Sequence, residues 1–335
     1  MCSVVADCPT LGRLEKLDNV RLHTMHEFDH LLVDGRNMLY RAAWSNQMLT
    51  HRSLPTGGVF GFLRTLLAAY RDFGCPTIQV CWEGKRNWRF KRFPAYKGNR
   101  SRGPRDDTGF DCGAAVASQQ PLLRELLALA GIAQWRTPDG ECDDVLYARG
   151  EELAADGETV AVLSHDRDMY QVTTNPLCSV IRTDKDGDWH VVDRTVCEQE
   201  LGGPPEKIPA LKALAGDSSD NIPGVRGIGP KIAAKLMVPH TSLSELLSSA
   251  RSGERWAGSA RQRSQVHDAA EDVSIFEEIV RLQMCELELS PEHHYPEKVD
   301  LQAALEDLGI LTLAEEGPLE ALCSMGGTQL FGEKH

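Results

Sequence analysis

Nine carboxylates in this chain stand where a catalytic site could gather them. Asp34 closes the apolar run LLVDG, Glu83 closes QVCWEG, and Asp166 and Asp168 follow AVLS. A second group is ECDD, holding Glu141, Asp143 and Asp144, and a third is Asp217 and Asp220 in GDSSDN. Each group alone has an ordinary explanation: a helix N-cap, an acidic first turn favoured by the helix dipole, or an Asx-turn. Glu141 and Asp144, three apart, would share a face of a helix already begun, with Asp143 pointing elsewhere or serving as the cap. Taken together, nine acids in one cleft would repel one another severely unless cations sat among them. Mg²⁺ or Mn²⁺ suit an all-oxygen donor set, whereas zinc favours His and Cys. Two such ions about 4 Å apart are the recurring device of phosphodiester hydrolysis.

Cationic features lie beside the acids. In GVRGIGPK, the glycines Gly224, Gly227 and Gly229 are spaced G-x-x-G-x-G, which is the wrong order for a dinucleotide fingerprint. The stretch offers a tight turn between two helices, with Pro230 at the first helical position and Lys231 and Lys235 one turn apart. Free N–H groups at such a helix start can receive a backbone phosphate, although a plain helix–helix turn would read the same way. From Glu83 to Arg105 there are nine basic residues and one acid. Within WRFKRFPAYKGNR, the cations (Arg89, Lys91, Arg92, with Arg86 just before) alternate with Trp88, Phe90, Phe93 and Tyr96. Cations interleaved with aromatics suit a nucleic-acid strand whose bases stack while its phosphates are neutralised. Lys97 and Arg100 are placed to hold the scissile phosphate and offset charge in the transition state.

The elements that must carry these residues are legible as apolar runs between turn signals. FDHLLVDG (28–35), TIQVCWEG (77–84), TVAVLSHD (159–166) and CSVIRT (178–183) read as buried strands. Helical periodicity spans 57–74, 119–131 and 143–157, each ending on a glycine. Alternating strands and helices imply βαβ units and an α/β core with a mostly parallel sheet. The carboxyl edge of such a sheet is where ligands bind, and it is where the strand-end acids fall. Residues 98–115 break the rhythm and read as a loop or arch. Beyond about residue 194 the strands stop and an all-α region follows, with a loose tail from about residue 315.

The bulk numbers are those of a globular protein of 335 residues, 41% hydrophobic and 25% charged. A net charge of −13 argues against a nucleic-acid partner only until the local excess at 83–105 is counted. The ten cysteines form no C-x-x-C pair, so neither a zinc site nor a disulfide framework is expected and a reducing cytoplasm is the plain reading. No apolar run is long enough to span a bilayer, and residues 1–27 lack the apolar core of a signal peptide. They are treated as an extension upstream of the fold.

GDSSDNIPGVRGIGPKIAAKL, YKGNR, E-x-DD and S-x-D-x-D, in that family's order, resemble the 5′-nuclease (flap endonuclease) family, in its bacteriophage and bacterial polymerase-I-associated branch. The resemblance runs from about Phe28 to about Leu313. It implies a PIN-like nuclease core over 28–194 with an arch at about 85–118. A helical DNA-binding region follows over 195–313, with a helix-three-turn-helix element at about 206–238, and then a tail over 314–335. By position, Asp34, Glu141, Asp143, Asp166 and Asp168 match the family's metal-binding acids. Glu83, where the family usually has Asp, falls with Asp144, Asp217 and Asp220 on the remaining acidic positions. Tyr96, Lys97 and Arg100 match active-site residues at the arch base. Gly224, Val225, Gly227 and Gly229 fall on the hairpin, whose backbone carbonyls can hold a monovalent cation such as K⁺ in relatives.

The resulting expectation is a monomeric, free-standing, divalent-metal-dependent 5′-3′ exonuclease or flap endonuclease, in the cytoplasm of a bacterium or a phage-infected cell. It would cut 5′-flap, nicked or 5′-ended duplex DNA near single-strand/duplex junctions, leaving 5′-phosphates, and could remove RNA primers. Two alternatives remain at this level: a PIN-type ribonuclease, and a non-catalytic DNA-junction binder.

Overall fold

The computed structural model describes residues 28–75, 77–99, 109–184, 187–291 and 295–326. Residues 100–108 lie outside these, Arg100 among them, as do residues 1–27 and the last nine residues. The sheet begins with β1 (His30–Asp34), which hands directly to α1 (Gly35–Ser45). A small hairpin of β2 (Thr50–His51) and β3 (Leu54–Pro55) precedes α2 (Gly57–Phe73) and β4 (Thr77–Cys81). Then come α3 (Trp88–Arg92), α4 (Cys112–Leu129), β5 (Ala133–Arg136), α5 (Cys142–Ala155), β6 (Val160–Leu163), β7 (Cys178–Thr183) and β8 (Trp189–Val192).

Helices dominate the second half: α6 (Arg194–Leu201), α7 (Ile208–Ala215), α8 (Pro230–Met237), α9 (Leu243–Ser252), α10 (Ala260–Asp268) and α11 (Ala270–Val280). The chain closes with β9 (Glu288–Leu289), α12 (Lys298–Asp307) and α13 (Glu316–Ser324).

Seven strands form the main sheet in the order β8-β7-β6-β1-β4-β5-β9. The five inner strands are parallel, and both edge strands run antiparallel to their neighbours. The parallel order reverses direction between β1 and β6, so the crevice of this doubly wound sheet opens beyond the ends of those two strands. One face is sealed by α1, α2, α4, α12 and α13 around Leu31, Phe62, Leu66, Leu127 and Leu322. The other is sealed by α5 and α6 around Leu32, Val145, Val162 and Tyr170. The helices from α7 to α11 form a third core of their own.

Local chemistry explains several boundaries. Asp34 accepts a hydrogen bond from the Asn37 backbone N–H at 3.0 Å and so starts α1. α2 stops at Gly74, whose φ of 60° is the left-handed conformation that glycine adopts without strain. The buried Gln119 side chain accepts from the Gly58 and Val59 N–H groups, so a neighbouring helix caps α2.

Four sequence expectations need correction. α4 starts at Cys112, capped by Asp111, well before the expected residue 119, because the alanine-rich CGAAVAS sustains a helix and Pro121 is accommodated within it. The loop expected at 98–115 is shortened, since 112 onward is α4; within the arch expected at 85–118, residues 88–92 form a helix and 100–108 lie outside the described residues. Strand pairing does not end near residue 194, since β9 returns to extend the sheet beside β5. The loose tail is also overturned over its described part, because α13 and the residue after it bury Leu319, Leu322 and Met325 in the first core.

Candidate active site

Strand ends bring the acids to the crevice. Asp34, at the end of β1, is 4% exposed, and besides capping α1 it accepts a hydrogen bond from Ser164 Oγ at 2.9 Å. Asp166, just after β6, caps a short 3₁₀ helix by accepting from the Asp168 N–H at 2.9 Å. The capping reading of these residues therefore holds, and it does not compete with a second role. Capping fixes each carboxylate at the crevice, leaving other lone pairs free.

Charge crowding is evident in the proton affinities. Burial, aided by the neighbouring Asp166 charge, raises Asp34 to about 6. Burial and the charges of Asp166, Asp34 and Glu141 push Asp143 well above the ordinary carboxylate range. The ECDD expectation is thus corrected: Glu141 takes the N-cap position, and it is Asp143 that shares a neighbourhood with Asp34 and Asp166. Asp144, expected among the metal ligands, belongs elsewhere. It is 1% exposed and is held by both terminal nitrogens of Arg89, one at 2.8 Å, and by the Gln283 N–H at 3.2 Å.

Arg89 itself was expected to face nucleic acid. The structure buries it, with Nε donating to the Ile279 carbonyl at 2.7 Å, so it ties α3 and α5 to α11. Arg89→Ala should cost about 3–5 kcal/mol, because it leaves the Asp144 charge buried without its partner. Chemical denaturation checks this, and a loss under about 1 kcal/mol would contradict it.

A second cluster forms where the 3₁₀ helix meets the GDSSDN turn. One oxygen each from Asp168, Asp217 and Asp220 can be chosen so that all lie within 4.8 Å of one another. Lys212, on α7, reaches into this cluster and pairs with Asp168 and, at 2.7 Å, with Asp217. Burial opposes the charge on Asp217, but Lys212 and Ser219 hold its carboxyl down to about 2. Asp168, raised to about 6 by burial despite Lys212, retains the opposite bias. An ammonium group among three carboxylates marks the point where a cation is stabilised, and an all-oxygen donor set fits a hard divalent ion.

The arch base is laced to the same turn. Tyr96 is 3% exposed and its hydroxyl lies 2.9 Å from Glu141 Oε2 and 3.1 Å from Asp220 Oδ2. Lys97 adopts a φ of 52°, uncommon for a residue with a side chain, and its N–H is pinned to the Asp220 carbonyl at 2.9 Å. Its ammonium donates to Glu141 Oε1 at 2.6 Å. Glu141 is opposed by burial, yet Lys97 and Arg89 outweigh this and hold it below its ordinary value. Glu83 is engaged by Arg36 at the rim of the crevice. Arg100 lies outside the described residues.

The remaining basic and aromatic positions divide. Arg86 is exposed, whereas Lys91 is paired to Asp139 at 3.1 Å and Arg92 to Glu278 at 2.7 Å. The base-stacking reading of the aromatics fails for Tyr96 and Phe93, which pack into the helical core, Phe93 against Phe276. Phe90 is 49% exposed. In the hairpin, Gly224 (φ 66°) presses on the Gly216 backbone so closely that a Cβ would stand 2.3 Å from its nitrogen. Val225 is buried, Gly227 has a φ of 82°, and Gly229 is the N-cap of α8. Lys231 and Lys235 are exposed along α8.

Sequence reasoning missed Lys212, Ser164, Asn37 and Asn87, the last donating to Glu141 Oε1 at 2.8 Å. Only Ser164 carried a signal, through the S-x-D-x-D pattern.

An acid-lined crevice at the switch point of a parallel sheet, flanked by a helix–hairpin–helix with a basic start, defines a class: nucleases that act on phosphodiester backbones. The chain belongs to the 5′-3′ exonuclease family. Residues 29–202 match that family's N-terminal resolvase-like domain, and residues 203–302 match its C-terminal SAM fold. The chain is 33% identical to a 5′-3′ exonuclease of Bacillus subtilis over 223 residues, covering 65% of this chain and 72% of that protein. It is 31% identical to the thermostable DNA polymerase I of Thermus thermophilus over 297 residues, 87% of this chain but only 33% of the polymerase. It therefore spans a third or less of the polymerases it resembles. The T5 5′-exonuclease, solved with divalent zinc, superposes with a TM-score of 0.62 at 20% identity, over 87% of this chain and 98% of that one. Flap endonuclease-1 of Methanococcus jannaschii gives 0.55 at 15% identity, over 90% and 93%. At these identities the superpositions speak for the fold.

Proposed function

We propose that this protein is a divalent-metal-dependent, structure-selective nuclease that hydrolyses DNA phosphodiesters near a single-strand/duplex junction and leaves 5′-phosphates. The observation that carries the reading is the pair of acid groups meeting at the crevice. In one, Asp34, Asp143 and Asp166 crowd, and the Asp166 charge helps raise the other two. In the other, Lys212 lodges among Asp168, Asp217 and Asp220. A pair of hard cations, Mg²⁺ or Mn²⁺, would supply charge and Lewis acidity at the phosphate.

The chain's own groups do the rest. Capping contacts from Asn37 and Ser164 hold Asp34 with its oxygens at the crevice. Lys97, released from Glu141, turns its ammonium to the scissile phosphate, and Tyr96 keeps Glu141 and Asp220 in register meanwhile. The hairpin and α8 start hold the duplex backbone without reading bases. K⁺ at the hairpin carbonyls, a monomeric state, a cytoplasmic setting and primer removal are parts of the same proposal. The T5 flap endonuclease, crystallised as a pseudo-enzyme-product complex with DNA and metal ions, supports extending the reading to this chain.

A time course on 5′-flap, nicked and blunt duplexes, with Mg²⁺ and with chelator, tests the proposal. Metal-dependent cutting near the flap junction is expected. Preferential cleavage of single-stranded RNA, or flap binding with no cleavage in either metal, would overturn it. Lys97→Ala should lower turnover by about 10²–10³-fold with a much smaller effect on binding, as for loss of one transition-state donor. A change confined to affinity would contradict the assigned role.

A further inference from the structure

The hairpin lysines have neighbours that the family signature does not include. From Arg226 to Arg263 the chain carries seven basic residues and two acids, Glu245 and Glu254, within a protein of net charge −13. Three of the bases, Arg226, Lys231 and Lys235, belong to the hairpin and α8. The other four, Arg251, Arg255, Arg261 and Arg263, frame the turn between α9 and α10, and all four are exposed. None of the seven forms an ion pair with a carboxylate among the described residues. Several surface arginines elsewhere are paired, as in Arg92–Glu278, Arg194–Glu206 and Arg281–Glu277.

These arginines sit on a built scaffold. Gly253 ends α9 with a φ of 84°, and the Ser249 hydroxyl donates across the turn to the Glu254 carbonyl. Trp256 Nε1 donates to the Ser259 carbonyl at 3.0 Å, and Ser259 with Gln262 forms a capping box that starts α10. The turn is locked against α8 at both ends: Arg255 donates to the Pro239 carbonyl just past it, and Gly258 packs against Leu236. α10 then runs back to the hairpin, where Gln265 lies over Gly227. The basic residues therefore form one band from the hairpin along α8 and around the α9–α10 turn.

We infer that this band is a second duplex-binding surface, on which Arg251, Arg261 and Arg263 contact backbone phosphates beyond those held by the hairpin. The inference rests on the nuclease reading and deepens it. α8, with eight residues, is about 12 Å long, so the band lengthens the footprint by roughly three or four base pairs. Uncompensated arginines on a rigid turn suit a regularly spaced polyanion, and contacts to phosphates alone are independent of base sequence.

The test measures affinity for flap substrates whose duplex arm is lengthened stepwise from about 8 to about 30 base pairs. It uses the whole protein with Ca²⁺ to prevent cutting. Wild type should show a step in affinity once the arm reaches the band. In the triple variant Arg251→Gln, Arg261→Gln, Arg263→Gln the step should vanish, with long-arm binding about tenfold weaker. The salt slope on the long arm should fall by about 2–3, and the corresponding triple lysine variant should restore both. Equal losses on short and long arms, or no loss on either, would overturn the inference. A step that survives in the glutamine variant would do the same. Wild type that does not prefer a flap to an equal length of single strand would instead overturn the nuclease reading, whatever the variants do.

Discussion

Asp166→Asn is expected to abolish cleavage, by about 10³-fold or more, while raising the stability of the metal-free protein. The two effects have one cause. The substituted amide would keep the side-chain oxygen that caps the 3₁₀ helix at Asp168, so the local backbone has no reason to move. What disappears is a negative charge that, after burial, helps raise Asp34, Asp143 and Asp168. Removing it weakens the site's hold on a cation, with a loss of roughly 4 kcal/mol or more in transition-state stabilisation. It also relieves repulsion among the remaining acids, so melting in chelator should rise by about 2–4 °C. Single-turnover cleavage and a chelated melting curve check the pair. A variant that cuts at the wild-type rate, or that melts lower in chelator, would remove Asp166 from the site.

Divalent affinity should fall about 100-fold between pH 7 and pH 5. Asp34 and Asp168 titrate near 6 in the metal-free protein, raised from their ordinary 3.8 mainly by burial. Below about pH 6 both hold protons that an ion must displace, and each such proton costs about tenfold in affinity per pH unit. The sign for stability follows. A carboxyl raised in the folded state favours folding most below its unfolded value, and that contribution is lost as pH rises through about 6. His165 acts the other way, since burial lowers it to about 4 and its contribution is lost as pH falls. Total stability in chelator is therefore a poor readout, whereas the difference between metal-loaded and chelated protein cancels the histidine. Mn²⁺ titration from about pH 5 to 7.5, with calorimetry in two buffers to count released protons, measures it. An affinity flat across that range would show that these carboxyls are not the ligands.

What the sequence disclosed, and what it hid, divides along physical lines. Asp34 and Asp166 were visible because a buried strand is an apolar run, and the residue that ends it stands at the sheet edge. The pairing of Asp217 with Asp220 was visible because turn residues mark themselves. Lys212 was not, since one lysine in PALKALA looks like the solvent side of a helix, and only the fold turns that side toward Asp168. Arg89 misled for the opposite reason. It sits in a run of cations, and nothing local distinguishes the one that turns inward to Asp144. In ECDD the order of roles depended on where α5 begins, a matter of one residue. β9, with two residues, and α13, whose apolar positions follow a long helical region, are made by contacts that close only at the end of the chain.

That late closure has a practical meaning. The polypeptide leaves the sheet after β8, builds a separate helical body, and then comes home to lay α12 and α13 over the face already occupied by α1, α2 and α4. Cutting between the two halves would not yield two independent modules, because the first would lack its own lid and expose Leu66, Phe62 and Leu127 to water. α12 and α13 thus act as a clasp over the layer built by α1, α2 and α4.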